Sequence, residues 1–277
     1  MTAVVLALSA SIAWGCADFL GGLYSRRYSV APVTLLTQLA GLAGAAVALA
    51  IAGGPSGIGI GLGALAGFFS GVGATTYYAA LAAGTMSVVA PISACGAVVS
   101  LGLALAFGER PSPLRLAGAL LALCGAVLAS FQEHRAGGTS RLSILLALAT
   151  ALAFGVLLYV LGRAADAGGT FSALVGVRFA ASVVVGIWVA SLANRPPFPG
   201  GRVLAVVLFV GLLGTVANAL YGFAAERGLL AIVSLLASLY PVTTVVLANR
   251  VLHERLAPVQ AVGVVVALAG VSLVAVG

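Results

Sequence analysis

The chain has 277 residues, of which 62% are hydrophobic and only 7% charged, with a formal net charge of +7. Soluble domains carry about a quarter charged residues, so a water-soluble globular fold is excluded and an all-α integral membrane protein is expected, with no length left for a soluble domain. All 13 cations are arginine, spread one or two per loop; that is the pattern of a topology signal, and no nucleic-acid partner is expected.

A spanning helix needs about 20 apolar residues. In chain order the sequence offers ten: 2–23, 31–52, 58–82, 85–107, 113–131, 142–162, 170–193, 202–225, 229–252 and 257–276. The first lacks a basic leader and is followed by further spans, so it reads as a retained helix, not a signal peptide. "YSRRYS" puts Arg26 and Arg27 outside the lipid, and "GGPSG" at 53–57 is a turn cluster. The third span carries Gly59, Gly63, Gly67 and Gly71 on one face, a ridge that lets a neighbouring backbone approach and is compatible with a moving interface. "GERPSP" at 108–113 joins charge to two prolines, "FQEHRAGGTSR" at 131–141 is the longest polar loop, and "NRPPFPGGR" at 194–202 is a rigid connection. Cys16, Cys95 and Cys124 fall in apolar spans, and His134 and His253 stand alone near span ends. None has metal-ligand spacing, so no metal or other cofactor is expected.

The two halves repeat. "ERPSPLRLAGALLALCGAVLAS" from Glu109 meets "ERLAPVQAVGVVVALAGVSLVA" from Glu254, with 8 of 22 positions identical. "ALSASIAWG" at 7–15 meets "ALATALAFG" at 147–155, and Tyr77 and Gly84 meet Tyr221 and Gly228. The fold class that follows is ten transmembrane helices as two five-helix repeats: residues 1–131, a connecting loop 132–141, and residues 142–277. Five is odd, so the second unit crosses the membrane in the opposite sense. Inverted repeats of this kind build secondary transporters, which bind substrate near the midplane between the repeats.

The sequence resembles the drug/metabolite transporter superfamily, in particular its EamA-type ten-helix members. The resemblance rests on "AWG" at 13–15, "LYPVTTVV" at 239–246, "HERLAPVQAVGVVVALAGV" at 253–271 and the weaker "GERPSPLRLAGALLALCGAV" at 108–127. It covers essentially the whole chain and says nothing of substrate. It implies a central cavity lined by the first, third, fourth, sixth, eighth and ninth helices, and export or exchange of small metabolites, amino acids among them. The chain departs from that family at Asp18, where a polar uncharged residue is common. It also departs at Gln38, where the arginine kept in the second half as Arg178 would stand, and at Gly96, the register partner of Pro241.

The candidate site residues each have two readings. Asp18 is either an interfacial acid reaching water or pairing with Arg26 or Arg178, or a cavity carboxylate that binds a cation or a proton. Its register partner is Leu158, so the duplication does not require it. The small multidrug exporters, which the resemblance brings in as relatives, also keep an acid in their first helix. Trp14, one turn before Asp18, either packs or receives an organic cation or aromatic ring. Arg178 either snorkels, forms a structural pair or grips a substrate carboxylate. Gln38 and Asn218 are amides that bridge helices or line a cavity. Tyr77, Tyr78, Tyr221 and Tyr240 fall on helices that the resemblance places around the path. The Glu109–Arg110 and Glu254–Arg255 pairs read as structural, capping or pairing where the fourth and ninth helices turn into the next, and Arg250 can also pair with Glu254. Gly118, Gly125, Gly263 and Gly270 read as packing seams.

The expected function is a secondary-active or facilitative transporter, an exporter of amino-acid-like or other small organic solutes working by alternating access. No G-x-x-x-x-G-K-[ST] motif is present to bind ATP, so the substrate gradient or protons would drive it. A lipid flippase of similar build and an intramembrane enzyme are the alternatives; the scattered Ser, His and Cys offer the latter no catalytic constellation. Beyond solute, lipid bilayer and protons no partner is expected, and the sequence fixes no oligomeric state. Both termini share one side of the cell (inner or plasma) membrane. The resemblance implies the cytoplasm, yet that orientation puts seven loop arginines outside and four inside, against the positive-inside tendency.

Overall fold

The computed structural model describes residues 1–25, 28–83, 89, 92–130, 140–192, 197–252 and 257–276. Arg26, Arg27, Gly84, His134, Arg135, Arg195, His253, Glu254 and Arg255 lie outside them, as does any pairing of Glu254 with Arg250. Among the described residues the chain forms eleven helices: α1 Thr2–Ser25, α2 Val30–Ala52, α3 Gly57–Ala83, α4 Gly96–Ala106, α5 Pro113–Ser130, α6 Arg141–Gly168, α7 Thr170–Ser191, α8 Gly201–Ala225, α9 Leu230–Ala237, α10 Tyr240–Leu252 and α11 Pro258–Val276. Eight stretches are long and apolar enough to cross a bilayer, α9 and α10 counting as one, and Ile92–Ala106 and Pro113–Ala129 are shorter apolar helices.

Two departures from the expected spans have local causes. The sixth span was expected to stop at 162, before its first charge. Instead α6 runs on to Gly168, carrying Arg163 and Asp166 within 3.9 Å of each other. Its alanine-rich end is a good helix former, and Gly169 ends it at φ 80 with its N–H on the Ala165 carbonyl. The ninth span is broken at Ser238–Leu239, and the fourth is broken at Cys95, between helical residues 92–94 and α4. These breaks lie just before Pro241 and Gly96, which are register partners.

What packs on each break is the glycine of the "WG" and "FG" motifs. A Cβ on Gly15 would strike Thr243 and the Tyr240 carbonyl, and one on Gly155 would strike Val99 and the Gly96 carbonyl. Irregular backbone inside a bilayer needs its polar groups satisfied. Ser238 Oγ accordingly donates to the Ser234 carbonyl at 2.6 Å, and Thr244 Oγ1 to the Gly15 carbonyl at 3.2 Å.

Several helix contacts repeat when one half is exchanged for the other. α3 packs on α6 and α7, as α8 packs on α1 and α2; α4 packs on α6, as α9 and α10 pack on α1. Three pairs meet their own equivalents: α2 with α7, α4 with α9, and α5 with α11. In the last of these the seam glycines fix the sense of the packing. Gly118 lies against Gly270, and Gly125 against Gly263. The lower number on α5 thus meets the higher on α11, so these equivalent helices run antiparallel. The ridge Gly59, Gly63, Gly67 and Gly71 faces Gly168, Ala173, Val177 and Val184, where backbone contact leaves no space for any larger residue.

The helix ends gather on two sides. On the N-side, where α1 begins, the Ser56 N–H donates to Ser172 Oγ at 3.0 Å. Glu109, just past α4, accepts from the Leu230 and Ala231 N–H groups at 2.9 and 2.8 Å. It therefore caps α9 from the other half, a kind of contact that stabilises by about 0.5–2 kcal/mol. Arg110 turns back to the Leu105 and Glu109 carbonyls at 2.9 and 2.8 Å, and Glu226 caps α7 through Thr170 N–H and Oγ1. On the far side Ser140 and Ser143 donate to the Ala83 and Ala80 carbonyls. The main buried cluster, which includes Ala7, Leu101, Leu161, Tyr221 and all of α9 except Ser234, lies toward the N-side.

Candidate functional site

Three groups of polar side chains occupy the interior of the bundle. The first centres on Asp18. On α1 this carboxylate is accessible but deep among the helices, near the hydroxyls of Tyr77 and Tyr78 on α3 and Tyr240 on α10. Among the described residues Asp18 forms no ion pair; the two that occur are Arg163–Asp166 and Arg227–Glu226. The rings of Tyr77 and Tyr78 meet edge to face at 5.6 Å. Tyr78 stacks on Trp188 of α7, with centroids 6.3 Å apart and planes 5° from parallel. Asp18 thus stands beside tyrosines of α3 and α10, with no cation paired to it among the described residues. Such a carboxylate can hold a proton or an organic cation.

The second group joins α2 to α7. Arg178, only 7% exposed on α7, donates from Nη1 to Gln38 Oε1 on α2 at 2.9 Å. These are register partners, so their bond lies on the approximate twofold axis between the halves. Gly41 and Gly214 press against the guanidinium where a Cβ would crowd it, and its Nε has no hydrogen-bond partner. Arg178 makes no pair with Asp18.

The third group ties α1 to α8. Trp14 Nε1 donates to Asn218 Oδ1 at 2.9 Å, and the indole lies 5.8 Å from the Tyr221 ring. Tyr221, fully buried, donates its hydroxyl to the Leu158 carbonyl at 2.8 Å. Trp14 is one turn from Asp18, so this group floors the first.

The nine sequence candidates therefore resolve into Asp18 with Tyr77, Tyr78 and Tyr240; Arg178 with Gln38; and Trp14 with Asn218 and Tyr221. Trp188 and Thr244 were missed. Each sits one or more helical turns from a chosen residue in an otherwise apolar span, and only the chain order of helices around the site singles them out. Two crevices of ≈ 210 Å³ open on the N-side, one lined by Met1, Arg115, Arg227 and apolar neighbours, the other by Glu109, Arg163, Asp166 and Glu226. Neither contains a candidate residue.

Ten apolar helical segments, broken fourth and ninth helices and a polar interior between antiparallel equivalents define a multi-pass membrane protein of transporter build. The sequence profile of the EamA-like transporter family matches residues 1–131 and 141–276. The chain belongs to that family, within the drug/metabolite transporter superfamily. Among 27 matching chains of solved structures, one crystal structure superposes with a TM-score of 0.81 at 19% identity, over 99% of this chain and 97% of the other. That likeness bears on the fold alone. No curated protein matches the chain significantly.

Proposed function

We propose that this membrane transporter exports small organic solutes, amino-acid-like ones among them, by alternating access between two five-helix units, residues 1–131 and 142–277, joined by 132–141. Transport is driven by the substrate gradient or by protons, and Asp18 is the proton or cation site. The observation that carries this reading is the carboxylate of Asp18, exposed and without an ion-pair partner among the described residues, facing tyrosines from α3 and α10. A purely structural acid in a bilayer is expected to be paired. Tyr77, Tyr78 and Tyr240 then line the solute path beside it, while Arg178 and Gln38 hold α2 to α7 where the units meet. The protein sits in the cell membrane with both termini in the cytoplasm, which makes the N-side the cytoplasmic one.

The test is counterflow of candidate solutes in proteoliposomes, with and without a pH gradient. Asp18→Asn is expected to abolish the response to the gradient while the protein still folds and inserts. If that variant transports as the parent does, with the same pH dependence, Asp18 is not the coupling site.

A further inference from the structure

The apolar one of the two N-side crevices plays no part in the transport reading. It lies between α1, α5, α9 and α11 with a volume of ≈ 210 Å³, and its wall includes Val4, Ile232, Val233, Leu236 and Val274. From Leu229 at its rim to Leu236 the α9 wall descends about 10 Å along the helix axis. Among the described residues, the charged side chains lining it are Arg115 and Arg227. Arg227 is fixed at the mouth. Its Nη1 donates to the Phe223 carbonyl at 2.9 Å and lies 3.4 Å from Glu226 Oε2, and its guanidinium stands 5.7 Å from the centre of the Phe223 ring. Arg115 is exposed on the first turn of α5, its backbone N–H bonded to Ser112 Oγ at 3.3 Å.

The duplication separates these cations from the scaffold. Arg110, which satisfies carbonyls of its own turn, recurs in the other half as Arg255. Arg115 and Arg227 do not recur; their register partners are Gln260 and Ala83. The fold therefore does not need two arginines here.

The chemistry selects the occupant. A small soluble anion would use the arginines and leave the apolar depth empty. A zwitterionic lipid would fill the depth and offer the arginines no net charge. Both arginines stand at span ends, the level of lipid headgroups, and basic crevices between transmembrane helices suit acidic headgroups. We infer that this crevice binds an anionic phospholipid, with an acyl chain along α9 and its phosphate between Arg115 and Arg227.

The test uses the purified full-length protein in detergent, with dioleoylphosphatidylglycerol, dioleoylphosphatidylcholine or glycerol phosphate added at equal concentration. Lipid retention is read by native mass spectrometry and stability by thermal unfolding. Phosphatidylglycerol is expected to be retained and to raise the unfolding midpoint. Arg115→Gln with Arg227→Gln is expected to weaken its retention about thirtyfold, and Arg141→Gln with Arg202→Gln, at the far side, to leave it unchanged. Should the double glutamine variant fail to fold, Arg115→Lys with Arg227→Lys, which keeps both charges, is compared with Arg115→Gln alone; only the glutamine variant is expected to lose lipid. Equal stabilisation by phosphatidylcholine or by glycerol phosphate overturns the inference, as does undiminished phosphatidylglycerol retention in the glutamine variants. None of these readouts depends on transport.

Discussion

Tyr77 and Tyr221 hold equivalent positions in the two halves and have opposite surroundings. The Tyr221 hydroxyl is spent on the Leu158 carbonyl, in a fully buried setting. Tyr77 is half-buried and faces Asp18, which is the register partner of Leu158. The equivalent position thus makes a scaffold contact in one half, and in the other sets a hydroxyl near a carboxylate. The Trp14–Asn218 pair adds to the difference, since its register partners are Phe154 and Ala74. Duplication supplied the frame, and substitutions confined to one copy of each pair made the polar interior asymmetric.

Four experiments test where the halves remain equivalent and where they differ. The largest effect is expected at the α5–α11 seam, where equivalence is complete. A Cβ on Gly125 would meet Ala267 N and the Gly263 carbonyl, and one on Gly270 would meet Ala122 N and the Gly118 carbonyl. Gly125→Val and Gly270→Val should each cost about 3 kcal/mol or more, read as matched losses of folded yield and unfolding midpoint. Unequal losses would mean that the seam is not symmetric.

Next comes the axis. Arg178→Leu leaves the Gln38 amide without its partner and should destabilise by about 2 kcal/mol. Exchanging the two residues, Gln38→Arg with Arg178→Gln, should recover most of that in thermal unfolding. If the exchanged protein is as weak as Arg178→Leu, the guanidinium is needed on α7 specifically.

Asp18→Asn should abolish the response to the gradient and lower total flux roughly tenfold, about 1.4 kcal/mol, while Leu158→Met leaves flux unchanged. Equal effects of the two would erase the functional difference between the halves. The smallest effect is expected at the tyrosines. Tyr221→Phe should lose about 1 kcal/mol of stability and keep transport, whereas Tyr77→Phe should keep stability within about 0.5 kcal/mol and alter solute affinity. The reverse pattern would show that the bonded tyrosine, not the one facing Asp18, serves the solute.

Much of this was legible in the sequence because membrane helices and duplications leave strong patterns. Span number, the Glu-Arg-x-x-Pro repeat and the glycine seams each point to the fold, and the register arithmetic singled out Asp18 and Arg178 as unmatched. The breaks in the fourth and ninth helices were not legible, since Cys95 and Ser238–Leu239 sit in runs as apolar as their neighbours. Their cause lies in a glycine on another helix, Gly155 or Gly15, and packing at that distance leaves no local periodicity. The same holds for Trp188, which reaches the site only because α7 lies beside α3. The end of α6 was misplaced because a charge was taken as the limit of the helix, although a helix can continue past the apolar layer.

The carboxylate of Glu109 has a consequence for how the protein is made. Its two acceptors serve Leu230 and Ala231, which follow it by 121 and 122 residues. At a synthesis rate of roughly 5–20 residues per second, this acid leaves the ribosome some 6–24 seconds before the amides it will bind. Until then the first half carries an anion with no helix end to cap, and α9 cannot settle without it. Closure of the N-side is therefore a late step of biogenesis, completed only when the second half arrives and docks on the first.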